Sequence, residues 1–285
     1  MAFLPRRTRL RAAAGCAILT AALLSPAAAH AQYVPSGYYG DDAIGERYVI
    51  EVAGTLWNPE LFGQISSEQF GLLGTRIDFV DDLGYETTRF RDLRVTLRPT
   101  RKSKFRVQYT PMRYTAETSF TREIVFNGVK YPLGVPIESS FDWKVWRLGY
   151  EYDFLYRSRG FIGMLAEVRW TQMDARLMTN TPAISPRYDE FTSAKAPLPA
   201  LGVVARAYPL PALALNFELS GMKVPDIDPN YQGDYFEWDI HGTFNITNNV
   251  GVQMGWRKAT TFIGIEDDLG DLKFQGFWFG GALRY

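Results

Sequence analysis

The chain has 285 residues, with 31 basic and 31 acidic side chains, one cysteine and two histidines. That balance leaves no basic stripe for nucleic acid, and a single cysteine rules out an internal disulfide framework. Hydrophobic residues make up 46% and aromatics 15%, a range shared by soluble proteins and membrane barrels, because outward and inward residues of a barrel strand alternate and their hydropathies cancel.

The chain opens with Arg6, Arg7, Arg9 and Arg11, an apolar run from Ala12 to Leu24, and the small-residue pattern Ala29-His30-Ala31. This order predicts a secretory signal peptide over residues 1–31. The apolar run falls short of the about 20 residues of a spanning helix, and Cys16 precedes most of it, which argues against a lipoprotein signal. Four of the 31 basic residues lie in this segment and none of the 31 acidic ones, so the remainder carries −4. Cys16 and His30 go with it, leaving His241 as the one histidine. Residues 32–46, rich in Gly, Pro and Asp, predict a flexible periplasmic leader.

From 47 to 285 the alternation predicts an all-β fold: a transmembrane antiparallel up-and-down β-barrel of about ten strands, with short periplasmic turns and long extracellular loops. The first segment runs from Tyr48 to Trp57, with Tyr48, Ile50, Val52 and Leu56 on one face. The second ends at Pro99, with Leu93, Val95 and Leu97 opposing Asp92, Arg94 and Arg98. Further segments follow around Val107, Leu148, Val168, Val203, Phe217, Ile240 and Val252, and the tenth ends the chain. Pro111 conflicts with a closed sheet, which predicts a bulge or the membrane edge there. Phe277, Phe279, Leu283 and Tyr285 form the alternating aromatic end of a closing strand and a candidate assembly signal.

Charges fall on the inward face of nearly every segment, where they escape the cost of about 2 to 4 kcal/mol met by a charge facing lipid at midplane. Glu51, Asp92, Arg94, Arg106, Arg147, Glu151, Glu167, Arg169, Arg206, Glu218, Glu237, Asp239, His241 and Arg257 are the candidate lumen network, with Arg98 and Arg284 on the same inward face. Its plainest consequence is a filled interior, hence a barrel of structural or interaction type. The alternative is a narrow channel or small-solute transporter lined by the same charges. Asp239 and His241, two apart on one strand, resemble the Asp and His pair of omptin-class outer-membrane proteases. Here the pair sits mid-strand with no opposing acidic pair placed by motif, so no enzyme is expected and no cofactor is called for. Asp81-Asp82-Leu83-Gly84 recurs as Asp267-Asp268-Leu269-Gly270, and clustered carboxylates on outer loops suit a divalent cation, although Asp and Gly also favour tight turns.

Trp57-Asn58-Pro59, the Asp81 to Gly84 turn, Leu148-Gly149-Tyr150-Glu151-Tyr152-Asp153-Phe154, Pro197-Leu198-Pro199-Ala200-Leu201-Gly202 and the C-terminal strand together resemble a family of uncharacterised proteobacterial outer-membrane β-barrel proteins. The resemblance implies a place in the bacterial outer membrane, contact with its lipid and lipopolysaccharide, and insertion by the barrel-assembly machinery. It carries no assigned activity.

Overall fold

The computed structural model describes residues 43–66, 75–126, 128–179, 189–223, 231–265 and 268–285. Residues 1–31, expected as a signal peptide, most of the expected leader and Asp267 lie outside them. The strands are β1 (Ile50–Trp57), β2 (Glu60–Ser66), β3 (Ile77–Asp78), β4 (Phe90–Leu97), β5 (Ser103–Ser119), β6 (Ile124–Phe126), β7 (Val129–Tyr131), β8 (Pro136–Arg157), β9 (Gly160–Thr179), β10 (Asp189–Leu210), β11 (Leu213–Lys223), β12 (Tyr231–Asn245), β13 (Val250–Ile265) and β14 (Asp268–Arg284).

Ten of these, β1, β4, β5 and β8 to β14, form a closed antiparallel barrel. Each matches one of the ten alternating segments of the sequence. The wall closes where β14 runs beside β1, from Glu51 opposite Arg284 to Trp57 opposite Trp278. Beyond Trp57 the chain steps aside at Asn58-Pro59, and β2 takes over as the partner of the first half of β14. Gly276 stands at this handover, where a side chain would meet the Asn58 carbonyl oxygen at 2.2 Å.

The strands run much further than expected. β5, β8, β9 and β10 have 17, 22, 20 and 22 residues, against the about 9 to 11 that a tilted strand needs to cross a bilayer. Along these extensions the alternation keeps its register and reverses its meaning. On β9, Ile162, Met164, Val168 and Trp170 face out, while Glu167 and Arg169 face in. Further along, Gln172, Asp174 and Arg176 face out while Met173, Ala175 and Leu177 are buried. β8 does the same in reverse chain order: Tyr152, Tyr150, Leu148 and Trp146 are followed outward by Lys144 and Asp142, as Glu151 and Arg147 give way inside to Val145, Trp143 and Phe141.

Two architectures therefore share one set of strands. The half next to the short turns is apolar outside and charged inside. The far half is polar outside and apolar inside, as a soluble β-sandwich is. Its core joins Trp57, Phe79, Tyr85, Phe90, Tyr114, Phe141, Trp143 and Phe274, with the rings of Trp143 and Phe274 4.5 Å apart and those of Phe79 and Phe141 4.9 Å apart. Phe79 and Tyr85 reach it from the loop after β3, and Phe126 and Tyr131 from the β6–β7 hairpin.

The wall also divides in this half. Pairing of β4 with β5 ends at Leu93–Tyr109, and pairing of β10 with β11 ends at Leu201–Gly221. Beyond those points, among the described residues, β5, β8, β9 and β10 form one sheet, and the end of β11, β12, β13, β14 and the β1–β4 pair, with β2 and β3, form the other. The prolines follow from this. Pro111 pairs with Lys144, and Pro197 and Pro199 with Trp170 and Val168, in unbroken register. Each has lost its other ladder neighbour, so it stands on a sheet edge, where a missing N–H is tolerated. No bulge forms at Pro111; it lies where the outward apolar band ends.

Candidate functional site

Among the described residues, the inward charges of the lower half are paired in four adjoining clusters of one lumen network. Nine cations, Arg94, Arg98, Lys104, Arg106, Arg147, Arg169, Arg206, Arg257 and Arg284, meet nine carboxylates, Glu46, Glu51, Asp92, Glu151, Asp153, Glu167, Glu218, Glu237 and Asp239. Arg147 is the centre. Its Nη1 donates to Glu237 at 2.7 Å, and its Nη2 donates to Glu167 and to Glu218, both at 3.0 Å. Arg169 binds Glu167 at 2.6 Å, Glu237 at 2.9 Å and the Ser220 hydroxyl at 2.9 Å, and Tyr235 donates to Glu237. Arg106 joins Glu218 at 2.7 Å and also pairs with Glu151. Arg94 reaches Glu218 at 3.9 Å.

Lys104, Asp153 and Glu46 belong to this network but not to the candidate set drawn from the alternation. Two of them were within reach of that rule. Lys104 lies two residues before Arg106 and Asp153 two after Glu151, so the same parity carried one step further places both inside. Lys104 binds Glu151 at 2.6 Å and Asp153 at 2.9 Å.

Glu46 had no such signal. The leader was expected to extend to residue 46, yet Ala43 to Glu46 fold into the short-turn end of the barrel. Ile44 donates to the Pro211 carbonyl at 2.8 Å and Gly45 to the Asn248 side chain at 3.1 Å. The Glu46 carboxylate meets Arg98 at 2.9 Å and Arg206 at 3.1 Å and accepts from the Tyr208 hydroxyl. Burial alone would push this carboxyl up, but Arg98, Arg206, Lys104 and Tyr208 together outweigh it and hold it down at about 2. Gly45, at a φ of 82°, fits because a side chain there would meet Arg284 and Asn245 at 2.6 Å. These four residues stopper the short-turn end.

Two of the cavities inside the described wall measure about 30 Å³, each large enough for about two water molecules. The lower is lined by Glu51, Arg94, Arg206, Glu218 and His241, and the upper by Trp57, Met112, Trp143, Arg147 and Arg257. Arg147 belongs to one wall and Glu218 to the other, so their ion pair is the partition between the chambers.

Asp239 and His241 face the same interior from β12, with His241 Nδ1 2.7 Å from Asp239. The second Asp239 oxygen is taken by Arg257 Nε and by the Trp278 indole, both at 2.9 Å. Arg257 also donates to Asp92 at 2.9 Å, which accepts from Gln108 at 2.6 Å as well. The pair is buried, bridged to the opposite wall by an arginine, and roofed by the Trp57 and Trp278 rings that flank Arg257.

In the outer loop, Asp82 accepts two bonds from Arg122, at 3.2 and 2.6 Å, and one from the Asp78 amide at 2.9 Å. Slight burial pushes its carboxyl up, and these donors bring it below the usual aspartate value. Asp81 is exposed, and Asp268 opens β14 opposite Ile265. At the other end, Phe277, Phe279 and Leu283 face outward, and Tyr285 exchanges backbone bonds with Ile50 at 2.9 and 3.0 Å and accepts from Val49 at 2.6 Å.

No protein-family model matches the chain, and no curated protein matches it. Among solved structures, it is similar to the outer membrane protease OmpT from Escherichia coli, with a TM-score of 0.52 and 8% identity over 83% of this chain and 96% of that one. Matches also include Ail, the attachment invasion locus protein of Yersinia pestis, at a TM-score of 0.37 and 10% identity over 83% and 99% of the two chains. The toluene transporter TodX of P. putida matches at 0.36 and 7% over 86% and 93%. At such identities likeness extends to fold and stops before activity. The chain is a closed ten-stranded β-barrel with the fold of an outer-membrane barrel.

Proposed function

We propose that this protein is an outer-membrane β-barrel of structural or interaction type, with a closed lumen and with its sandwich-like extension standing outside the cell. The observation that carries the membrane placement is the outward band itself. Leu148, Met164, Val168, Leu201, Met254 and Phe277 are each 45 to 70% exposed, a degree of apolar exposure that a soluble protein does not sustain around its whole girth. Tyr109, Trp146 and Trp170 edge that band, with the first two rings stacked at 4.4 Å, as interfacial aromatics do. The short-turn end then faces the periplasm, where the stopper of Ala43 to Glu46 closes it.

The closed lumen rests on the Arg147–Glu218 partition and on the aromatic core above it. Hydrolysis by Asp239 and His241 forms no part of this reading, since Arg257 occupies the space between Asp239 and Asp92. The experiment is planar-bilayer recording on the refolded chain lacking residues 1–31, beside a peptide-cleavage assay. Silence in both, from protein that resists heat unfolding in the gel as a folded barrel does, supports the proposal. Steady ion-selective openings would make the lumen a conduit, and cleavage lost in His241→Ala would make it an active site.

A further inference from the structure

Where β4 departs, β5 is left with an open edge, and two prolines fix which way its backbone points. Pro111 pairs with Lys144, and Ser119 with Pro136, in the β5–β8 ladder. Proline has no N–H, so both are antiparallel pairs that exchange no bonds, in which each residue turns its backbone groups away from its partner. Parity then turns Arg113, Thr115, Glu117 and Ser119 the same way. Their N–H and C=O groups point off the sheet, while those of Met112, Tyr114, Ala116 and Thr118 point to β8. The Ser139 hydroxyl agrees, donating to the Ala116 carbonyl at 3.2 Å. Pairing with β4 stops at Tyr109, so among the described residues no strand meets the four edge amides.

The side chains along this edge are incompletely matched as well. Arg113, Thr115 and Glu117 stand exposed on the polar face, and Arg113 is held by Asp142 at 2.6 Å. Glu117 lies directly opposite Glu138 on β8, and neither has a cation within ion-pair distance among the described residues. Like charges so placed cost stability. On the other face Met112 and Tyr114 are buried, and Ala116 and Thr118 are half-buried. Proteins blunt open edges with lysine, proline or a bulge. Here Pro111 guards only the base, and the edge runs on from Met112 to Ser119 in unbroken register.

We infer that the Met112–Ser119 edge of β5 takes up an extended peptide of another protein as an added strand, with apolar residues turned toward Tyr114 and Ala116 and a basic residue beside Glu117 and Glu138. Main-chain bonds to Arg113, Thr115 and Glu117 supply the attraction, as in other cases of strand addition. Charge complementarity selects the partner, because a cation beside the two glutamates relieves a repulsion that the barrel alone leaves standing. The inference deepens the interaction reading above and rests on it, since the extension must stand outside the cell for a partner to reach this edge.

The test is residue-resolved hydrogen exchange on the refolded chain lacking residues 1–31, alone and with a short synthetic peptide of alternating threonine and valine that carries lysine on its polar side. Alone, the amides of Arg113, Thr115, Glu117 and Ser119 should exchange fast and those of Tyr114 and Ala116 slowly. The lysine peptide should protect the first set. Glutamate in place of its lysine should weaken binding by about fivefold, and Glu117→Lys/Glu138→Lys should reverse that preference. The lysine peptide N-methylated along its bonding edge should not bind. Thr115→Pro, which removes an N–H that β8 does not use, should abolish the protection in a barrel that still resists heat unfolding. Edge amides already protected in the protein alone, a dimer of the barrel in native mass spectrometry, or undiminished binding of the N-methylated peptide overturns the inference. Thr115→Cys, treated on intact cells with an impermeant maleimide, tests the placement separately. An unlabelled thiol overturns the external extension and the inference with it, whereas a labelled one with no peptide bound overturns the inference alone.

Discussion

Val168 and Gln172 point the same way from β9, four residues and about 13 Å apart, yet one lies in the apolar band and the other beyond it. Their responses to one substitution should differ accordingly. Val168→Lys puts a charge against lipid and should destabilise the inserted barrel by about 2 to 4 kcal/mol. Gln172→Lys should stay within about 0.5 kcal/mol of the parent. Urea titrations in lipid vesicles measure both, and equal losses would place the membrane edge elsewhere.

Arg147 answers three carboxylates at once. Arg147→Leu leaves Glu167, Glu218 and Glu237 facing one another in a buried space, and should cost about 3 to 5 kcal/mol, the usual penalty for breaking a buried pair from one side. Removing Glu237 too, as Arg147→Leu/Glu237→Leu, should recover part of that loss. A single variant as stable as the parent would mean that the lumen is wetter than its packing implies.

The stopper gives a pH dependence with a definite sign. Glu46 titrates at about 2 when folded against 4.5 ordinarily, so its contribution is complete above about pH 4.5 and is lost as pH falls toward 2. Protection of the Ile44 and Gly45 amides from hydrogen exchange, corrected for the intrinsic pH dependence of exchange, should fall over that interval, and in Glu46→Gln should be low at neutral pH. Gly45→Val should release the same amides, because its side chain has no room beside Arg284 and Asn245. Slow exchange in both variants would show that other contacts hold the segment.

Tyr285 is tied to β1 through three backbone bonds at the closing seam. Deleting it should lower the amount of barrel inserted in cells, while the same chain refolded in detergent still closes. Unchanged surface levels would remove the C-terminal strand as the assembly signal.

The strands were legible because parity survives everything done to it. Ten alternating segments in the sequence are the ten strands of the barrel, and short connections such as Ser158-Arg159 and Pro211-Ala212 are its turns. The extent of the strands was not legible, for a physical reason. The sign of the alternation depends on what surrounds the wall, and lipid outside Val168 becomes water outside Gln172. Met173, Ala175 and Leu177 carry the same period as Glu167 and Arg169 with opposite chemistry, so an apolar-outward template stops at Trp170. Of the lumen charges, Lys104 and Asp153 lay within reach of parity, whereas Glu46 enters from outside any strand, where no periodicity applies.

Among the described residues, the lumen holds nine cations and nine carboxylates. Such an interior has little freedom to drift. A lone change at Arg257 or Glu218 strands its partners where water cannot compensate, so tolerated variation must arrive in matched exchanges, acid with base, across neighbouring strands. The outward band meets only lipid and is bound by no such rule. Among descendants of this chain, the hidden face should therefore change in couples and the visible one residue by residue.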